Sequence, residues 1–285
     1  VRYSDYYENT FINAILSSQN PKTGMTTYFQ PMASGFFKVY SSPFDHFWCC
    51  TGSGMENFSK LGDSIYFHNE NSIFVNRYTS SSVIWEEKGL VITQNVDLPK
   101  VTFKINGSAE AEIVLRVPDW CKDKPTVKIN GEKKLVREKN GFITLDREWK
   151  DGDVVEYEMP MSITVHSLPD NENAVAFKYG PWVLSADMGT NNMNTGTTGV
   201  DVTVPLWDTS LSDTLIVEKG TVNKWLRNID ENLVKIGDSL EFKLNGTNQE
   251  LIFSPHYKQH TNRYGIYFRL ADFRTELPEN EEDKY

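Results

Sequence analysis

Apolar residues change their period once along this chain, near residue 65. Over 3–19, Tyr7, Phe11, Ala14 and Ile15 recur at helical spacing while Asp5, Glu8 and Asn9 fall on other faces, which predicts a helix. Asn20-Pro21-Lys22-Thr23-Gly24 ends it, because proline and glycine break the pattern. A second helical rhythm, Met55, Phe58, Leu61 and Ile65, predicts a helix over 54–66, with Ser53 and Glu56 at the Ser-x-x-Glu spacing of a capping box. Between the two, 25–48 is aromatic (Tyr28, Phe29, Phe36, Phe37, Tyr40, Phe44) and has no strong period. Ordinary connections are short, so a loop of this length is expected to be functional. The pair reads as the last hairpin of an α-helical domain whose remainder lies elsewhere.

Beyond residue 65 the apolar positions alternate. Strands are expected at 72–78, 90–96, 100–105, 111–117, 126–129, 142–145 and 154–159. Asn106-Gly107, Asn130-Gly131, Asn140-Gly141 and Asp151-Gly152 punctuate them with the residue pairs that supply positive φ in tight hairpins. A second group of strands is expected from 163, at 174–179, 182–185, 213–218, 239–244, 250–253 and 264–270. The span 189–199, rich in Asn, Thr and Gly, reads as a mobile loop. Many short, evenly spaced strands predict β-sandwiches. The fold class is therefore mainly β, divided as 1–66 helical, 67–162 first sandwich, 163–275 second sandwich, and 276–285 an acidic, solvated tail.

Composition narrows the function. At 285 residues, 39% apolar and 24% charged, the chain has the makeup of a globular protein with room for more than one core. A net charge of −10 without a Lys/Arg cluster argues against a nucleic-acid partner. No apolar run approaches the roughly 20 residues of a membrane helix. The sequence opens on Val1-Arg2-Tyr3 in a helical pattern, without an initiating Met or a signal sequence, and so reads as a piece of a longer protein.

Two of the three cysteines are adjacent, Cys49 and Cys50, just ahead of the second helix. A helix start favours anions and so favours thiolates, which are nucleophiles and soft metal ligands. Gly52 and Gly54 permit a tight backbone beside the sulfurs, and Phe47 and Trp48 are placed to exclude water or stack on a sugar ring. The competing reading is that the pair is buried apolar filler. Cys121, in a strand-rich region, reads as a half-buried structural thiol, and Trp120 and Trp149 as sandwich-core aromatics. Glu56 is explained by the helix cap. His46, in the aromatic loop, reads either as a satisfied structural residue or as a group orienting a substrate hydroxyl or Cys49.

Several strings in colinear order resemble the β-L-arabinofuranosidases of bacterial plant-glycan breakdown. They are Cys49-Cys50-Thr51-Gly52-Ser53-Gly54-Met55-Glu56-Asn57, Lys60-Leu61-Gly62-Asp63-Ser64-Ile65-Tyr66, Val114-Leu115-Arg116-Val117-Pro118-Asp119-Trp120 and Trp149-Lys150-Asp151-Gly152-Asp153. Tyr179-Gly180-Pro181, Pro255-His256-Tyr257 and Arg263-Tyr264 extend the likeness over almost the whole chain. The resemblance implies that 1–66 is the end of an (α/α)6 barrel carrying the active site, followed by two β-sandwiches. It implies that Cys49 is the nucleophile of a retaining glycosidase, that Cys50 is a zinc ligand, and that Cys49 also contacts the zinc. Another cysteine, a glutamate ligand and the acid/base glutamate of the family fall upstream of Val1, so these residues alone are expected to be inactive. Tyr28 resembles a family tyrosine that hydrogen-bonds the sugar, with core packing as its other reading. The partner implied is an arabinose-containing glycan; secretion or a periplasmic location suits a polysaccharide degrader, with the cytoplasm also open. A carbohydrate-binding or purely structural sandwich module is the alternative function.

Overall fold

The computed structural model describes residues 1–199 and 201–273. The acidic tail expected at 276–285 lies outside them. The fold is mainly β with a short N-terminal helical part and sandwich-like sheets. The chain forms two compact units, one of residues 1–16, 49–162 and 179–181, the other of 17–48, 163–178 and 182 onward. Among the described residues no helix is long and apolar enough to cross a membrane.

The first unit holds two sheets. One has five strands in the order Tyr66–His68, Ser72–Val75, Ala109–Arg116, Phe142–Trp149 and Glu138–Lys139. The other has six: Ser81–Trp85, Leu90–Asp97, Lys100–Asn106, Val154–Glu158, Thr126–Ile129 and Glu132–Lys134. Alternation puts Val101, Phe103 and Ile105 on one face of their strand, and Ile143, Leu145 and Trp149 on one face of theirs, and all six are buried. They join one core with Ile113, Leu115, Val155 and Tyr157. Trp120, Trp149 and Cys121 belong to this core, as their sequence context predicts.

The turn residues divide into two kinds. Asn130 and Gly131 (φ 53° and 81°) and Asn140 and Gly141 (φ 55° and 79°) close hairpins between paired strands. Asn106-Gly107 and Asp151-Gly152 do not close hairpins: each carries the chain from one sheet to the other. These two corners brace each other, the Gly107 N–H donating to Asp151 Oδ1 at 2.9 Å and the Gly152 N–H to the Ile105 carbonyl at 2.9 Å.

The first helix runs close to expectation as Arg2–Thr10, a π turn at Phe11–Ile15 and Leu16–Ser18. It is tied to the sandwich of its own unit by charge. Arg116, fully buried, pairs with Asp5 at 2.5 Å and Glu8 at 2.9 Å, and donates to the Asn76 carbonyl at 2.6 Å. The Trp120 indole donates to Glu8 at 2.8 Å, and Arg77 lies over the rings of Tyr7 and Phe11.

The second helix is Cys49–Ser59, not 54–66. Ser53 and Glu56 therefore lie inside it, both exposed, and form no capping box. The residues it buries are Thr51 and Gly54, whereas Met55 is 56% exposed. Turns at 60–64, with Lys60 N–H on the Asn57 carbonyl, take over where the rhythm Leu61–Ile65 suggested more helix.

Among the described residues of the second unit, nine strands form one hydrogen-bonded sheet, with Asn171–Tyr179 and Trp182–Asp187 in its middle. The irregular segment 17–48 is stitched to this unit: Gly35 N–H donates to the Tyr264 carbonyl, Tyr264 N–H to the Phe36 carbonyl, and the Tyr264 hydroxyl to Pro31 at 2.7 Å. The span 189–199, read from sequence as a mobile loop, is instead held at several points. Thr195–Thr197 pairs with Thr203–Pro205, and the buried Arg263 donates to the carbonyls of Asn191, Asn192, Leu206 and Gly35. A guanidinium with this many acceptors meets its own hydrogen-bonding needs in the interior, which explains its burial. One helix had no apolar period to reveal it: Val222–Arg227, capped by Thr221 and centred on buried Trp225.

Candidate active site around the vicinal cysteines

Cys49 and Cys50 occupy the first turn of the second helix rather than the loop before it. Cys49 is exposed, Cys50 half-buried, and both thiols are free. That placement sets aside the reading of the pair as buried apolar filler. The two Sγ atoms stand 3.8 Å apart.

The electrostatics differ from the sequence expectation. Burial first, then the hydrogen bond and the charge of Cys49, push the Cys50 thiol above its ordinary pKa. Two adjacent sulfurs resist double ionisation, and the helix start does not overcome this for Cys50. A divalent cation held by the two sulfurs would supply the missing compensation, because its charge favours the thiolate form of a coordinated thiol.

The sulfur geometry suits such a cation. Two thiolates bound tetrahedrally to zinc, each about 2.3 Å away, stand about 3.8 Å apart, which matches the observed separation. Cys49 and Cys50 thus fit as two of four ligands. Among the described residues no cluster of three or more His, Cys, Asp or Glu side chains is arranged to hold a metal.

Tyr28 and His46 belong to the other compact unit and are described there. Trp48, the residue preceding Cys49, lies between them: its ring is 6.0 Å from Tyr28, nearly perpendicular, and 5.7 Å from His46. Phe29 packs edge-on against Tyr28 at 4.6 Å. Ser42 Oγ accepts the His46 backbone N–H at 3.0 Å and lies 3.3 Å from its Nδ1, so the loop fixes the imidazole on one side. Tyr28 is half-buried and His46 exposed, and the three rings pack together within their own unit.

A second polar cluster had no signature in the sequence. Lys38, 4% exposed, donates to the His256 carbonyl at 3.1 Å, and Tyr40 bonds His260 Nδ1 at 2.6 Å. Desolvation lowers Lys38 to about 7 and His260 to about 4. His256, whose Nδ1 lies 3.3 Å from Ser185 Oγ, is also lowered, by burial and then by Lys38. Lys38 and His256, and Tyr40 and His260, lie about two hundred residues apart in sequence, and no local spacing announces them.

Comparison with known proteins finds family matches over most of the chain. Residues 1–63 match the family described as β-L-arabinofuranosidase, GH127 catalytic domain, and 72–161 its GH127 middle domain. Residues 164–270 match a domain of unknown function. Among solved structures, a GH127 β-arabinofuranosidase superposes with a TM-score of 0.71 at 18% identity, covering 95% of this chain and 46% of that one. A protein titled glycoside hydrolase gives 0.68 at 18% identity, covering 95% and 48%. A GH127 β-L-arabinofuranosidase from Geobacillus stearothermophilus T6 gives 0.62 at 17% identity, covering 95% and 46%. At these identities the likeness is one of fold, and the chain spans about half the length of the structures it matches. No curated protein matches the sequence.

Proposed function

Because the chain belongs to the GH127 β-L-arabinofuranosidase family, we propose that it is the C-terminal part of a retaining glycoside hydrolase that releases β-L-arabinofuranose from plant glycans, with Cys49 as nucleophile. Its parts are then the end of the catalytic barrel at 1–66, a first sandwich at 67–162 and a second at 163–275. The three family matches, at 1–63, 72–161 and 164–270, support that division.

The observation that carries the reading is the thiol pair, exposed at Cys49 and half-buried at Cys50, with the sulfurs 3.8 Å apart in the first turn of a helix, inside the stretch that matches the catalytic domain. Cys49 and Cys50 are assigned as zinc ligands, and zinc, when bound, supplies the charge that keeps the thiols ionised at neutral pH. Cys49, the more exposed of the two, attacks the anomeric carbon, forming a C–S bond as the glycosidic C–O bond breaks. A glutamate outside these 285 residues protonates the departing oxygen and then takes a proton from the water that displaces the sulfur. Trp48 and Tyr28 offer apolar ring faces and a hydroxyl for the sugar, and His46 a ring nitrogen for one of its hydroxyls. The 285 residues alone are proposed to be inactive, since two sulfurs fill half a zinc shell.

Loss of the nucleophile is the direct test. In the full-length protein Cys49→Ser is expected to lower kcat on an aryl β-L-arabinofuranoside by about 10³-fold or more. Cys50→Ser should lose bound zinc by elemental analysis as well as activity. Near-normal turnover by Cys49→Ser rejects the assignment.

A supporting role for the first sandwich is favoured by a separate observation. The buried Asp5–Arg116–Glu8 cluster and the Trp120–Glu8 bond lock the first helix onto that sandwich. We assign the sandwich to positioning that helix rather than to independent glycan binding.

A further inference from the structure

We propose that a cleft in the second unit binds a neutral oligosaccharide, stacked on Trp207 and hydrogen-bonded by Asp213 and Arg269. The choice of sugar rests on the glycan-processing role proposed above, whereas the cleft itself is described by its own geometry.

Two adjoining cavities of about 610 and 530 Å³ share Ala33, Ser34, Asp213 and Arg269 as a common wall. Trp207 borders one and Tyr267 the other. Trp207 is 60% exposed, yet its indole is fixed: Nε1–H donates to the Ser34 carbonyl at 3.1 Å. The ring edge also packs on Gly35, where a β-carbon would stand 2.7 Å from Nε1. Gly35 sits at φ +92°, so the close approach and the backbone conformation both call for glycine. The result is a broad aromatic face held rigid in water, a surface on which the C–H face of a sugar ring can stack.

The polar half of the cleft is equally constrained. Arg269 Nη2 reaches both carboxylate oxygens of Asp213, at 2.9 and 3.1 Å, with the two side chains 60% and 47% exposed. An ion pair this open contributes little to stability. It does present a planar set of donors and acceptors, because the pair engages Nη2 and leaves the other guanidinium N–H groups for a ligand. Gln249 holds the segment that carries Asp213, just ahead of the strand Thr214–Ile216: its Oε1 accepts Ser212 N–H at 2.9 Å, and its Nε2 donates to the carbonyls of Ser212 and Thr214. Thr209 Oγ1 accepts the Leu211 N–H at 3.0 Å and closes the turn between Trp207 and Asp213. Such a site is organised before its ligand arrives, which lowers the ordering cost of binding. The opposite charges of Asp213 and Arg269 cancel, so the cleft suits a neutral polyhydroxylated chain over a phosphate or a uronate. The net charge of −10 further disfavours anions.

The test is affinity electrophoresis of the 285-residue chain in gels containing arabinan, with polygalacturonate as the anionic control. The wild type is expected to be retarded by arabinan and not by polygalacturonate. Trp207→Ala is expected to weaken the Kd about tenfold or more and Arg269→Gln about threefold, while Trp207→Phe keeps part of the binding. Unfolding midpoints of the variants, measured alongside, separate a lost site from a lost fold, and Arg269→Gln alters only an exposed side chain. No retardation by arabinan, retention of full binding by Trp207→Ala, or stronger retardation by polygalacturonate overturns the cleft. If Cys49 is required for turnover and the cleft fails, the catalytic reading stands alone; if arabinan binds through Trp207 while Cys49 is dispensable, the cleft stands alone.

Discussion

Burial of Lys38 and His260 in the second unit makes its stability depend on pH. Lys38 has a folded pKa of about 7, against about 10.4 in an unfolded chain, because burial disfavours the ammonium. Between those values the unfolded chain binds the extra proton, so stability rises with pH from about 7 to about 10. His260, at about 4 when folded, acts the same way over a lower window: its contribution is complete above about 6.5 and is lost as the pH falls toward 4. The unfolding midpoint of the chain should therefore climb from pH 4 to 6.5 and again from pH 7 to 9.5. Lys38→Met should abolish the second climb and keep the first; an unchanged upper climb in that variant would show that Lys38 does not carry it. Residues of this kind were illegible in the sequence, because Lys38 and His256, or Tyr40 and His260, meet only through the tertiary fold. The cysteine pair could be singled out in the sequence for the opposite reason: its two members are neighbours in the chain. What the sequence misjudged there was polarity. The Cys50 thiol is pushed above its ordinary pKa, first by burial and then by the hydrogen bond and charge of the neighbouring Cys49.

At the scale of elements, the first helix and the sandwich it rests on are coupled through one guanidinium. Removing Arg116 leaves two carboxylates, Asp5 and Glu8, facing a buried gap, and such losses cost about 3–5 kcal/mol. Arg116→Ala should thus lower the urea midpoint of the first unit sharply. Adding Asp5→Asn and Glu8→Gln should restore part of the loss, since the uncompensated charges are then gone; strictly additive destabilisation would contradict the coupling. The corners between sheets differ in the same testable way. Gly107 has φ +93°, and a β-carbon there would stand 2.2 Å from the Gly89 carbonyl oxygen, while Gly152, at φ +86°, has open space around it. Gly152→Ala should cost about 1 kcal/mol of backbone strain and Gly107→Ala clearly more, because the second must also move backbone. Equal costs would show that the clash is relieved freely. Apart from Tyr66–His68, Ser81–Trp85, Glu132–Lys134 and Glu138–Lys139, the strands of the first unit were readable because half-buried strands must alternate, and 126–129 was placed without error. Helix boundaries were not: the Ser53/Glu56 spacing imitated a cap in the interior of a helix that begins at Cys49. The span 189–199 was misread because a distant arginine, Arg263, supplies the order that its composition lacks.

For the whole molecule, the mainly β architecture and its short helical beginning followed from one change of hydrophobic period. The path of the second unit's sheet did not, because Thr214–Ile216 pairs in parallel with Phe268–Ala271, a match that no turn between them records. The account of function turns on one claim, that Cys49 bonds covalently to the sugar during turnover. An arabinofuranose-configured electrophile incubated with the full-length enzyme, followed by peptide mapping by mass spectrometry, addresses it most directly. The predicted result is a single sugar adduct on the sulfur of Cys49, absent in Cys49→Ser and suppressed by prior removal of zinc; adduct on another side chain, or equal labelling of Cys49→Ser, would contradict it.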